Sequence, residues 1–160
     1  MSYICNKYKN GIILNNKIMK RILTLTMALA ATLTMVAGEY LVDFSRLPQR
    51  AQNFIKENFA QQKPTHIIYD SELLDGDFEV FFADGTQLDF NKRGEWRKME
   101  RKGGVLPMSA LPEAIANHIT TNHPEVGVVE IDRDRNEYEV KLSSGVELVF
   151  NHKGRLKWYD

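Results

Sequence analysis

The sequence predicts an α+β fold arranged as a tandem duplication, each copy being one helix packed on a four-stranded antiparallel sheet. Three observations carry that expectation. The stretch GDFEVFFADGTQLDFNKRGE at 76–95 returns sixty residues later as NEYEVKLSSGVELVFNHKGR at 136–155. Each stretch is preceded by a Leu-Pro pair and an apolar stripe at helical spacing. Between the turns, apolar and polar side chains alternate as in strands with one buried face.

The helices come first in each copy. Leu47, Ala51, Phe54, Ile55 and Phe59 recur at spacings of three and four, as do Leu111, Ile115, His118, Ile119 and His123. Such spacing puts them on one helix face. Pro48 and Pro112 suit a first helical turn, where a missing N–H costs nothing. Ser45 and Ser109 stand within reach of a capping role. Lys63-Pro64 and His123-Pro124 are expected to end the helices, because proline pushes its predecessor out of the α region.

The strands follow. Phe78, Val80 and Phe82 alternate with Asp77, Glu79 and Phe81; Tyr138, Val140 and Leu142 alternate with Glu137, Glu139 and Lys141. Asp84-Gly85 and Ser144-Gly145 reverse the chain, glycine supplying the positive φ. The returning strands bury Leu88 and Phe90, or Val146, Leu148 and Phe150. Turns at Asn91–Gly94 and Asn151–Gly154 then lead to Trp96, or to Leu156 and Trp158. His66–Asp70 and Val128–Asp132 supply a first strand for each sheet. The Leu-Pro pairs lie 64 apart but Phe-Glu-Val and Tyr-Glu-Val only 60. The four extra residues are expected around Gln61–Lys63 and in the Glu72–Asp77 loop. A copy of about fifty residues has little interior and would be marginal alone, so a shared core or a continued sheet is expected. The boundaries are read as 39–100 for the first repeat, 101–110 for a glycine-containing linker and 111–160 for the second.

Residues 1–38 read differently. Met19, Lys20 and Arg21 precede Ile22–Val36, an apolar run with threonines, and Val36-Ala37-Gly38 closes it with small side chains. This is the pattern of a secretory signal peptide, with translation expected to start at Met19. The run is shorter than the roughly 18 to 20 residues of a membrane span, so no stable membrane insertion is expected after cleavage. The first 38 residues hold five basic and no acidic groups, leaving 16 basic against 21 acidic and a net charge of about −5 beyond them. An acidic exported domain is a poor match for nucleic acid. Cys5 is the only cysteine, so the remainder must rely on ordinary packing.

No reaction constellation emerges. His118 and His123 are five residues apart, about 140° around a helix, and they replace Phe54 and Phe59 of the first copy. They are read as half-buried packing residues, and no metal or cofactor is expected. Asp70, Glu72, Asp75 and Asp77 do not follow EF-hand spacing. The serines lie at caps, strand edges and turns, and none sits in a nucleophile elbow. What remains is surface. Phe81, Val149 and Tyr159 fall in the outward phase, and Trp96 and Trp158 in the inward phase near strand ends; these five are candidate partner contacts.

The repeated pattern L-P-x-x-A/I-x-x-x-I, at Leu47–Ile55 and Leu111–Ile119, is followed by [FY]-E-V at Phe78–Val80 and Tyr138–Val140. G-x-x-L-x-F-N-x-x-G then recurs at Gly85–Gly94 and Gly145–Gly154. Together they resemble the PepSY-like, β-lactamase-inhibitor-like (BLIP-like) family of exported Bacteroides-type proteins. The resemblance implies a tandem helix-and-sheet architecture and a periplasmic or secreted location; it supplies no catalytic or inhibitory residues to carry over. The expected function is a non-enzymatic module that binds a protein or peptide, with inhibition of a secreted or periplasmic enzyme as its possible effect. A small-ligand or metal-responsive sensor is the alternative, and a hydrolase a more distant one.

Overall fold

The computed structural model describes residues 38–71 and 77–159. The signal segment with its expected start at Met19, Cys5, and the loop acids Glu72 and Asp75 lie outside the described residues, as does the side chain of Tyr159. Among the described residues, nine strands form one antiparallel sheet in which spatial order follows chain order. They are β1 Glu39–Leu41, β2 Pro64–Asp70, β3 Asp77–Phe82, β4 Thr86–Asn91, β5 Trp96–Arg101, β6 Val128–Arg133, β7 Glu137–Leu142, β8 Glu147–Asn151 and β9 Leu156–Tyr159. Helix α1, Gln49–Asn58, lies between β1 and β2 in sequence, and α2, Glu113–Asn122, between β5 and β6.

The alternating strands bury the residues that the pattern marks. Val80, Leu88, Phe90, Leu148 and Phe150 are no more than 1% exposed, and they join Ala51, Ile55, Ile115 and Ile119 of the helices in one core cluster. At ~25 cal/mol per Å² of apolar surface removed from water, each such side chain contributes about 1.5–3 kcal/mol before entropy is counted. Both helices therefore pack on one side of the sheet. Leu106 and Ala110, between β5 and α2, also belong to this cluster. The sheet runs on without interruption because β5 pairs with β6 at Lys98↔Asp132, Met99↔Ile131 and Glu100↔Glu130.

Several expectations require correction. β1 is a strand that the sequence pattern does not announce; it pairs with β2 through Leu41↔Ile68, Tyr40↔Tyr69 and Glu39↔Asp70. Ser45 and Ser109 do not cap the helices. They sit in 3-10 turns at Phe44–Arg46 and Met108–Ala110, and Pro48 and Pro112 take the N-cap positions without a side-chain cap. Pro64 does not end α1, which stops at Asn58, but opens β2. The register shifts fall at Pro64/His66 in β2 and at Val128/Glu130 in β6, with Pro64 opposite Phe82 and Val128 opposite Leu142. Pro64 and Val128 are 64 apart, like the Leu-Pro pairs, so the length difference arises wholly between β2 and β3 and not around Gln61–Lys63.

The turns into β5 and β9 share one device. Asn91 Oδ1 accepts from the N–H groups of Arg93 and Glu95 at 2.9 and 3.0 Å, and Asn151 Oδ1 from those of Lys153 and Arg155 at 2.9 and 3.1 Å. Gly94 and Gly154, at φ +74° and +71°, then lie against the helix starts. A Cβ on Gly94 would meet the Ala51 nitrogen at 2.8 Å, and one on Gly154 the Ala114 Cβ at 2.5 Å.

Candidate functional site: the outer sheet face and the seam groove

With the helices on the inner side, the outer side carries the other half of every alternation. The pairings link one row across all nine strands: Leu41, Ile68, Glu79, Asp89, Lys98, Asp132, Glu139, Val149 and Trp158. Its ends are apolar and its middle is acidic. Like charges face each other at Glu79↔Asp89 and Asp132↔Glu139 in this row, and at Asp70↔Asp77 and Glu100↔Glu130 beside it. Direct opposition of this kind is unfavourable. Lys98 relieves part of it through an ion pair with Glu130 that raises its own pKa. Burial first, then Asp89, Glu39, Asp70 and Asp77, hold the Glu79 carboxyl above its ordinary range. Asp89 is also raised, chiefly by burial, against the pull of Gln87 and Lys98.

The five candidate contact residues do not form one patch. Phe81 is outward, as expected, and its ring stacks on His66 with centroids 4.4 Å apart. Val149 is outward yet only 3% exposed and stands apart from the core cluster. Trp158 lies opposite it and is 54% exposed. Here the expected phase is reversed: a register shift between Val149 and Phe150 puts Trp158 outward and sets Tyr159 opposite Leu148 in the inward register. A bulge adds one residue to one strand, and a period of two turns that into a change of face. Val149 and Trp158 border a shallow pit of about 160 Å³ with Glu130, Asp132, Glu139 and Glu147 around it. Trp96 keeps the inward side and lies elsewhere, half-buried, with its ring 6.0 Å from Tyr138 and 5.5 Å from the Arg133 guanidinium.

Trp96 floors a larger groove, about 980 Å³, where β5 and β6 part. The seam pairs only three residues on each strand. Continued one step, the ladder would set Arg97 against Arg133, two cations, and a register shift in β4–β5 falls between Asp89 and Phe90 beside Trp96. The strands therefore diverge. The groove's acids are largely engaged: Arg97 holds Asp77 at 3.2 Å, while Arg50 and Asn91 hold Glu95. The Asn91 hydrogen bond, with Arg50 beside it, keeps the Glu95 carboxyl below its ordinary range. No signal in the sequence alone marks this groove, because it depends on which strand β5 meets.

The two helical histidines sit with their rings 6.2 Å apart, tilted 45°; Phe54 and Phe59 are 6.3 Å apart, tilted 46°. His118 meets Phe150 edge-on at 5.2 Å as Phe54 meets Phe90 at 5.9 Å. The 140° estimate fails because His123 has left the helix, as its C-cap at φ −136°, and its ring swings back. Among the described residues no group of three or more His, Cys, Asp or Glu side chains could hold a metal ion.

Comparison with known proteins places this geometry. Residues 76–157 match the family model described as "Putative beta-lactamase-inhibitor-like, PepSY-like". This chain belongs to that family. A "putative calcium-regulated periplasmic protein" of Bacteroides thetaiotaomicron is 36% identical with a TM-score of 0.72, over 76% of this chain and 96% of its own. Two Bacteroides vulgatus structures, each described as a putative periplasmic protein, are 32% and 30% identical. Their TM-scores are 0.72 and 0.70, over 79% and 77% of this chain and 99% of each of theirs. A search of curated protein sequences finds no match. The described residues form two helices on a nine-stranded antiparallel sheet, and the likeness to these neighbours extends over that α+β fold. Among the described residues, no helix is long and apolar enough to cross a membrane.

Proposed function

We propose that the protein is a non-enzymatic periplasmic or secreted module that binds a protein or peptide through the outer face of its sheet. Covering that partner's working surface would give an inhibitory effect. The observation that carries the reading is the cross-strand row, with an acidic centre between Leu41 and Ile68 at one end and Val149 and Trp158 at the other. An acidic strip with apolar ends suits a partner that offers basic side chains flanked by apolar ones. Persistent like-charge opposition, which costs stability, is what a surface kept for a cationic partner would show. Phe81 with His66 adds an aromatic contact on the same side. The same reading takes residues 39–100 and 111–160 as two copies of one ancestral unit joined by 101–110. The matching ring pairs, bulge positions and Asn-led turns support it.

The test is capture of a periplasmic partner by immobilised protein, repeated with Trp158→Ala and across a salt series. A partner should be retained at low salt, and truncating an interface tryptophan should weaken it by about 2 kcal/mol, roughly 30-fold. Capture that is not reproducible, or that ignores both salt and Trp158, would overturn the proposal.

A further inference from the structure

The groove at the diverging end of β5 and β6 borders the outer row at Asp89, Lys98 and Asp132, and adds a cluster of arginines that the row lacks. The chain beyond residue 38 is acidic overall, yet Arg93, Arg133 and Arg135 all line this one groove. Among the described residues, none of the three has a carboxylate within ion-pair distance, although the Arg133 charge is near enough to help lower the Glu95 carboxyl. Arg93 and Arg135 are exposed in the turns that precede β5 and follow β6. Arg133 lies over Trp96 at 5.5 Å. A guanidinium held over an indole ring is already positioned and loses little freedom on accepting a carboxylate. Tyr138, 6.0 Å from Trp96, extends the aromatic floor.

We infer that this groove is a second binding site, for a short acidic peptide segment that places carboxylates on Arg133 and Arg135 and an apolar side chain on the Trp96–Tyr138 floor. The volume, about 980 Å³, is at the upper end of small-ligand pockets and exceeds what a single small anion needs. Asp132 and Asp134 on the wall disfavour a long polyanion, which would have to pass them. A peptide carboxylate carries a single charge and can be placed between those acids, with its apolar neighbour covering the rings. Asp89, Lys98 and Asp132 border both the groove and the outer row, but the residues that would carry the peptide, Arg133, Arg135, Trp96 and Tyr138, lie outside that row.

The test uses a Trp158→Phe protein, in which Trp96 is the only tryptophan left, and follows its emission. The probes are a short end-blocked peptide of alternating Glu and Leu, the same peptide with Gln in place of Glu, and inorganic phosphate. The acidic peptide should give a saturable change, and Arg133→Gln and Arg135→Gln should each weaken it about tenfold, as loss of one charge-assisted pair implies. Arg133→Lys should restore only part of that loss, because a point charge does not reproduce the guanidinium's two-pronged hydrogen bonding. No response to the acidic peptide overturns the inference, as does an equal response to the Gln peptide or to phosphate, or undiminished binding by both arginine variants. Arg135 is exposed in the bend after β6, so Arg135→Gln decides the matter if Arg133→Gln does not fold. Partner capture that needs Trp158, together with no response to the acidic peptide, would remove this site and leave the outer-face reading intact.

Discussion

Glu79 faces Asp89 across β3 and β4, and burial together with neighbouring acids holds both carboxyls above their ordinary range. A carboxyl whose folded pKa is raised binds its proton more tightly in the folded state. Its penalty is absent below the unfolded value, about 4, grows as pH rises through the folded value, and is complete at neutral pH. Glu79→Gln or Asp89→Asn should therefore stabilise the protein near neutral pH by roughly 0.2–1 kcal/mol, the range of a cross-strand pair. The gain should shrink on acidification toward pH ~4, as urea midpoints across a pH series would show. Asp84 titrates the other way: burial opposes it, but hydrogen bonds from Gln62 and Thr86 and the nearby Arg101 lower its pKa. Its contribution is lost only as pH falls through that lowered value, so it does not mask the effect at Glu79. The outward phase of Glu79, Glu139 and Phe81 was legible in the sequence, because alternation alone decides it. The burial of Val149 was not, since it arises from a neighbouring strand, and the phase of Trp158 was hidden by a bulge that adds no distinctive residue.

Among the elements, the turns before β5 and β9 place glycine where geometry leaves no alternative. Gly94 combines a left-handed φ with a helix backbone at contact distance, while Gly103, at φ +82°, has nothing within 4 Å of a would-be Cβ. Gly103→Ala should cost about 1–2 kcal/mol for backbone conformation alone. Gly94→Ala should cost more, since the start of α1 must also move. Equal losses in urea unfolding would mean that the turn does not brace the helix. The glycine turns, the helices and eight of the nine strands could be read from periodicity and punctuation. The helix starts could not, because serine before proline resembles a cap whether the chain enters a helix directly or through a 3-10 turn. The histidine pair shows the same limit: its place on the apolar stripe was evident, but its ring contact required the chain to leave the helix at His123.

On the scale of the whole molecule, Met99 and Ile131 pair across the seam, and each is fully buried. A chain cut between Lys102 and Gly103 would expose both, together with Leu106. Neither fragment should fold alone, a core of this size being marginal for about sixty residues; a cooperative thermal transition in the isolated 39–100 fragment would contradict this. The sequence showed that two similar blocks need common cover, but not whether a core or a sheet would join them, because Met99 and Ile131 would look the same in either arrangement. The edge strand β1 has one more consequence. It occupies on β2 the place that β5 occupies on β6, with only three residues. It thus acts as a stopper. Without Glu39–Leu41, β2 would offer a docking line shaped for a strand like β9 of another molecule, and successive copies could string together into an open-ended filament, which light scattering on a truncated chain would reveal.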